Sequence, residues 1–124
     1  MLSKHSKSLI IIATLILLVG CMSPTEKFSE DLQSIVRPYA KSSVERILAG
    51  EMLHDTDEAQ AVYDALSQMD VPDDPQAQEC HAAALQWMEN IAYWGNTMSN
   101  ISKEAQYMEN FSIACEQFLP HESE

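Results

Sequence analysis

Apolar residues recur along most of this chain at intervals of three and four, the spacing of one face of an α-helix. Phe28, Leu32, Ile35, Val36 and Tyr39 open the pattern, and Val44, Ile47 and Leu48 continue it. Pro38 falls inside this run. It removes a backbone donor and crowds the preceding turn, so the first helix is expected to be kinked or split there. Gly50 is a natural stop. Asp55-Thr56-Asp57-Glu58 then has the form of a helix start, with an aspartate able to accept from exposed N–H groups and a glutamate three residues on. Ala59, Val62, Leu66 and Met69 give a second stripe, ended by the acidic, proline-bearing segment from Asp70 to Pro75. Cys80, Ala84, Trp87, Ile91, Trp94 and Met98 alternate steps of four and three, which describes a packed seam. Breakers follow from Gly95 to Asn100. Ile101, Ala105, Met108, Cys115 and Leu119 then make a fourth stripe, with Phe111 and Phe118 beside it and Pro120 closing it. There is no strand periodicity. The pattern predicts an all-α fold, a small up-and-down bundle of about four helices over residues 27–120, with a short tail at 121–124.

The N-terminus has a different texture. The first eight residues carry Lys4, His5 and Lys7 and no acid, and Leu9 to Val19 is apolar except for Thr14. A basic start before a run of this length is the layout of a secretory signal peptide. A membrane span needs about 20 apolar residues, and this run is shorter. It ends on Leu18-Val19-Gly20-Cys21, which resembles the lipobox of bacterial lipoproteins.

That resemblance implies removal of residues 1–20, a diacylglycerol on the Cys21 thiol, and usually an acyl group on the new amino terminus. Residues 21–26 would then be a lipidated tether. In enteric-type bacteria an aspartate directly after the cysteine is the usual signal for retention in the inner membrane. Met22 stands here, which implies the periplasmic face of the outer membrane. Each buried methylene contributes about 0.8 kcal/mol, so two or three acyl chains hold a protein at a membrane where one binds only marginally. The covalent lipid is the only prosthetic group expected.

Charge adds to this picture. The chain carries a net charge of −12, and loss of residues 1–20 removes two basic residues and no acid, leaving −14. The 56 residues between Arg46 and Lys103 contain ten acids and no Lys or Arg. Such a surface repels nucleic acid and anionic head groups and attracts basic partners. Asp55, Asp57, Glu58, Asp70, Asp73 and Asp74 are the candidate partner face. The alternative is a solvated surface that keeps a small protein soluble.

Three cysteines cannot all pair within one chain. If the third and fourth helices fold back about Gly95–Asn100, Cys80 and Cys115 stand at the same height, as do Trp87 with Met108 and Trp94 with Ile101. Both cysteines lie on the seam, within reach of a disulfide. An oxidising periplasm favours the bond. The unpaired cysteine is then Cys21.

Other chemistry finds little support. There is no glycine-rich phosphate loop. A catalytic Cys115 would need a base, and the disulfide removes its thiol. His54, Asp55 and Asp57 could hold a cation weakly, with His81 beside Glu79 able to join them, but a helix cap with solvated neighbours explains the same residues; no metal site is assigned. Met69, Met88, Met98 and Met108 have the spacing of core fillers rather than of copper or haem ligands. The sequence therefore points to a non-catalytic, membrane-anchored interaction module: an envelope-complex subunit, or an inhibitor or immunity protein with a basic partner. The alternative is a helical carrier of a small ligand or metal.

Overall fold

The computed structural model describes residues 22–51, 53–97 and 101–119. Four α-helices, α1 (Pro24–Leu48), α2 (Thr56–Gln68), α3 (Pro75–Trp94) and α4 (Ile101–Ala114), are followed by a 3-10 turn at Glu116–Phe118. There is no strand among the described residues. The all-α bundle is therefore the observed architecture.

Local chemistry sets the ends of these helices. Ser23 caps α1 by accepting from the Glu26 N–H, and Pro24 takes the first helical position, where its missing donor costs nothing. The helix thus begins inside the segment expected to be tether, and only residues 22 and 23 precede it among those described. α1 is not split at Pro38, which lies inside an unbroken helix. Pro38 is solvent-exposed, so water can serve the carbonyl that loses its helical donor. α1 ends in a Schellman motif. The Glu51 N–H bonds to the Arg46 carbonyl at 2.9 Å, the Gly50 N–H bonds to the Ile47 carbonyl at 3.0 Å, and Gly50 takes the left-handed φ of 82° that such an end requires.

Asp55 caps α2, accepting from the Glu58 N–H at 3.0 Å, and Asp74 caps α3, accepting from the Ala77 N–H at 2.8 Å. Glu58 does not close the reciprocal half of a capping box. Its side chain turns instead to α1, accepting from the Ser42 hydroxyl at 2.9 Å.

The core is built from one stripe of each helix: Phe28, Leu32, Val36 and Tyr39 of α1, Ala59, Val62 and Leu66 of α2, and Ala77, Cys80, Ala84, Trp87, Met88 and Ile91 of α3. Phe111, Cys115 and Phe118 complete it from the C-terminal side. α2 and α4 both pack along α3, while α1 packs on α2 and meets the final 3-10 turn. There the Ser29 hydroxyl and the Gln33 amide both donate to the Phe118 carbonyl, at 2.6 and 3.0 Å. Cys80 and Cys115 are bonded, with an S–S distance of 2.04 Å and Cα atoms 4.7 Å apart, and this joins α3 to the end of α4.

Three stripes differ from expectation; in the first, Val44, Ile47 and Leu48 are exposed. In the fourth, Ala105 is exposed and Met108 is 48% exposed, while Phe111, Cys115 and Phe118 face the core. The buried face is set by the aromatic rings, which remove more apolar surface from water than Ala or Met can. In the third, Trp94 is 61% exposed because it ends α3 and extends past the packed part of the bundle. Met98 and Pro120 lie outside the described residues, as does the side chain of Ile101.

Candidate interaction site

The bundle has two poles. Residue 22 lies at one, beside Asp74, Gln117 and Phe118 in a shared surface groove. The C-terminal end of α1 lies at the other, roughly 35 Å away along a helix that rises about 1.5 Å per residue. The α1–α2 and α3–α4 connections meet at this second pole. His54 N–H donates to the Asn96 side-chain carbonyl at 2.8 Å, and the Asn96 amide donates back to the His54 carbonyl at 3.1 Å. The His54 ring then reaches Glu104 of α4, at 2.8 Å.

At this pole α1 exchanges the character of its faces. Phe28, Leu32, Val36 and Tyr39 face inward, but the next positions on that face are Ser43 and Arg46. The guanidinium nitrogens of Arg46 are buried without a hydrogen-bond acceptor, and the nearest carboxylate, Glu58, is 3.8 Å away. The Tyr39 and Ser43 hydroxyls sit beside it without a well-formed hydrogen bond, and Trp87 Nε1 has no acceptor. Burial pushes the Tyr39 phenol above its usual range; Ser43 and Arg46 pull it down less strongly, and the carboxylates of Glu104 and Glu58 push it further up.

About a third of a turn round the helix, the outward face does the reverse. Glu26, Glu30 and Arg37 give way to Val44, Ile47 and Leu48, which are 55%, 71% and 81% exposed. Leu53 in the following loop is 67% exposed. A cluster of this kind is uncommon on a free surface, where large apolar residues are usually scattered. Arg37 and Lys41 border it, both exposed, and neither is paired with a carboxylate among the described residues.

The six acids singled out in the sequence do not share one patch. Asp55, Asp57 and Glu58 sit at the start of α2, near the apolar cluster. Asp70, Asp73 and Asp74 sit in the α2–α3 connection at the opposite pole, where the charge of Asp70 is felt by Lys27 of α1. Asp55 and Asp74 are helix caps, and Glu58 serves Ser42 and Arg46. The acidity is therefore a general field over the molecule with local structural uses.

His54 is engaged by Glu104, and a ring nitrogen of His81 donates to the Leu66 carbonyl at 2.7 Å, so the two histidines serve different parts of the fold. No group of three His, Cys, Asp or Glu side chains able to hold a metal ion occurs among the described residues. No described helix is long and apolar enough to cross a membrane. Cys21 and the segment before it lie outside the described residues. No protein-family model, curated protein or solved structure matches the chain.

The apolar cluster was the part of this site hardest to find from sequence. Val44, Ile47 and Leu48 continue the helical spacing of the core residues before them, and that spacing reads naturally as more core. The available signal was the polar pair Ser43 and Arg46 at i+4 and i+7 from Tyr39, on the face that should have stayed apolar.

Proposed function

We propose that this protein is a non-catalytic interaction module, anchored by lipid on Cys21 at the periplasmic face of the outer membrane, that meets a protein partner through the far end of α1. The carrying observation is the separation of the two features. The described chain starts at one pole, and the exposed Val44, Ile47 and Leu48 lie near the other. A lipid-held protein arranged in this way turns its apolar surface away from the bilayer and toward other proteins. Its net negative charge disfavours nucleic acid and anionic lipid as ligands. It also speeds approach of cationic proteins, without supplying a focused acidic docking face.

The test is a native-size measurement on membranes solubilised in mild detergent, comparing the natural chain with Ile47→Lys/Leu48→Lys. The natural chain should migrate in a complex larger than one chain and its micelle. The double variant should remain membrane-bound and helical but migrate as the single chain. A natural chain that already migrates alone would overturn this reading.

A further inference from the structure

The last two turns of α1 carry their polarity one residue out of phase with the core. Counted from Tyr39 in steps of four and three, the inward places fall on Ser43 and Arg46. Their side-chain donors are buried without hydrogen-bond acceptors, and Arg46 approaches Glu58 only to 3.8 Å. Each is followed directly by an apolar residue on the outward face, Val44 after Ser43 and Ile47 after Arg46, 55% and 71% exposed. One residue of helix is a rotation of about 100°. A slip of one residue therefore puts each side chain of the segment in the place of the one before it. Val44 and Ile47 enter the inward places of Ser43 and Arg46. Arg46 moves to the exposed place of Glu45, and Glu45 to the exposed place of Val44. Ser43 moves to the place of Ser42, so Glu58, which accepts from the Ser42 hydroxyl at 2.9 Å, again meets a serine. Leu48 replaces Ile47 and stays outward. No exchange in this set moves a charge inward.

We propose that α1 beyond Pro38 has a second register, slipped by one residue, in which Val44 and Ile47 are core and the donors of Ser43 and Arg46 are released to water. The extra residue is taken up as a π-bulge between Tyr39 and Ser43, at the exposed Ala40 and Lys41. Pro38 has already removed a helical hydrogen bond just before this point, and helices deform where that ladder is interrupted. The slip draws about 1.5 Å of chain, the rise of one residue, from the connection to α2. Burial of Val44 and Ile47 and relief of the unpaired donors favour the slipped register; the bulge opposes it. Register shifts of this kind run in microseconds to milliseconds. The device rests on the interaction-module reading for its role. The described register offers Val44, Ile47 and Leu48 to a partner, and the slipped register withdraws the first two. A partner of the stripe then selects the described register, and its apparent affinity falls by the fraction of chains that are slipped.

The test follows thiol labelling by a hydrophilic maleimide on the purified full chain in detergent, with one cysteine introduced at a time. Glu45→Cys is the reference, because that position is outward in both registers. Ile47→Cys is outward only in the described register. Labelling at position 47 should run at least fivefold slower than at position 45. Adding Ser43→Ala/Arg46→Met to the Ile47→Cys chain makes the inward face of the described register apolar and removes the gain from slipping. The rate at position 47 should then rise to the reference. Equal rates at the two positions in the otherwise natural chain would overturn the second register and leave the interaction-module reading standing. A slow rate that the added pair does not change would overturn it as well, since something other than the register of α1 would then cover Ile47. Failure of the interaction-module reading is seen separately, in the migration of the natural chain as a single molecule.

Discussion

Tyr39 and Trp87 meet edge to face, with ring centroids 6.1 Å apart and planes at 89°, and they mark the height at which the inward face of α1 turns from apolar to polar. Below them lie Phe28, Leu32 and Val36; above them lie Ser43 and Arg46. The Tyr39 ring is therefore a core side chain whose hydroxyl enters a region crowded with donors and short of acceptors.

Tyr39→Phe should leave stability unchanged or raise it slightly, because it deletes a buried hydroxyl that lacks a good partner while keeping the ring. Tyr39→Ala should cost about 3–4 kcal/mol, as expected for losing a large buried aromatic. Urea midpoints of the two variants decide this. A large loss in the Phe variant would show that the hydroxyl is well satisfied.

The same residue predicts an alkaline limit. Its phenol is raised above the unfolded value of about 10. Above that pH the unfolded chain loses the proton while the folded chain retains it. The unfolded state then binds fewer protons, so stability is fully present below about pH 10 and declines as pH rises beyond it. Melting temperatures from pH 9 to 11 should fall more steeply for the natural chain than for Tyr39→Phe. Parallel curves would exclude Tyr39 as a source of the decline.

Arg46→Met should be tolerated within about 1 kcal/mol, since a buried ion pair with poor geometry gains little over an apolar side chain of similar length. Glu58 keeps the Ser42 hydroxyl as a donor in that variant. Chemical denaturation is sufficient as a check, and a loss above about 3 kcal/mol would mean that the guanidinium is better paired than its 3.8 Å approach to Glu58 indicates.

The α2–α3 connection separates two kinds of aspartate. Asp74→Ala should cost about 1 kcal/mol through loss of the cap on α3, whereas Asp73→Ala, at an exposed position, should be near neutral. Asp74→Asn should retain most of the stability, because asparagine also caps. Equal effects of the two alanine substitutions would contradict the capping role.

Removing both Cys80 and Cys115 should lower stability by about 3–4 kcal/mol, the chain-entropy value for a loop of this length. In a domain of marginal size this is a large share of the total. Thiol counting on the denatured, unreduced chain checks the bond directly, and two reactive thiols from these positions would refute it.

The helices and their limits were largely legible because the signals are local and chemical. Asp55 occupies its cap position and Gly50 supplies the left-handed end; the starts of α1 and α3 were less legible, since Pro24 opens α1 inside the segment that reads as tether and Asp74 and Pro75 open α3 inside the segment that reads as a break. The Cys80–Cys115 pairing followed from counting outward from a turn, because an antiparallel hairpin relates sequence distance to height. Which way a face points was less legible. Val44, Ile47 and Leu48 have the same residue types and spacing as true core, and only the third dimension reveals that nothing among the described residues covers them. The acids failed differently. Ten carboxylates in one window of sequence suggested one surface, but a helix carries its two ends to opposite poles.

The hold of Ser29 and Gln33 on the Phe118 carbonyl spans most of the sequence, and this sets an order of events at the ribosome. α1 is made before the other helices, yet its contact with the final turn cannot form until Phe118 has emerged. α1, α2 and α3 can pack on one another as they emerge, but the contact between α1 and the final turn must wait. Long-range closures of this kind come late because the entropy of the intervening loop must be overcome first. Closure of the bundle between α1 and the final 3-10 turn is therefore the last of its tertiary contacts to become available during synthesis.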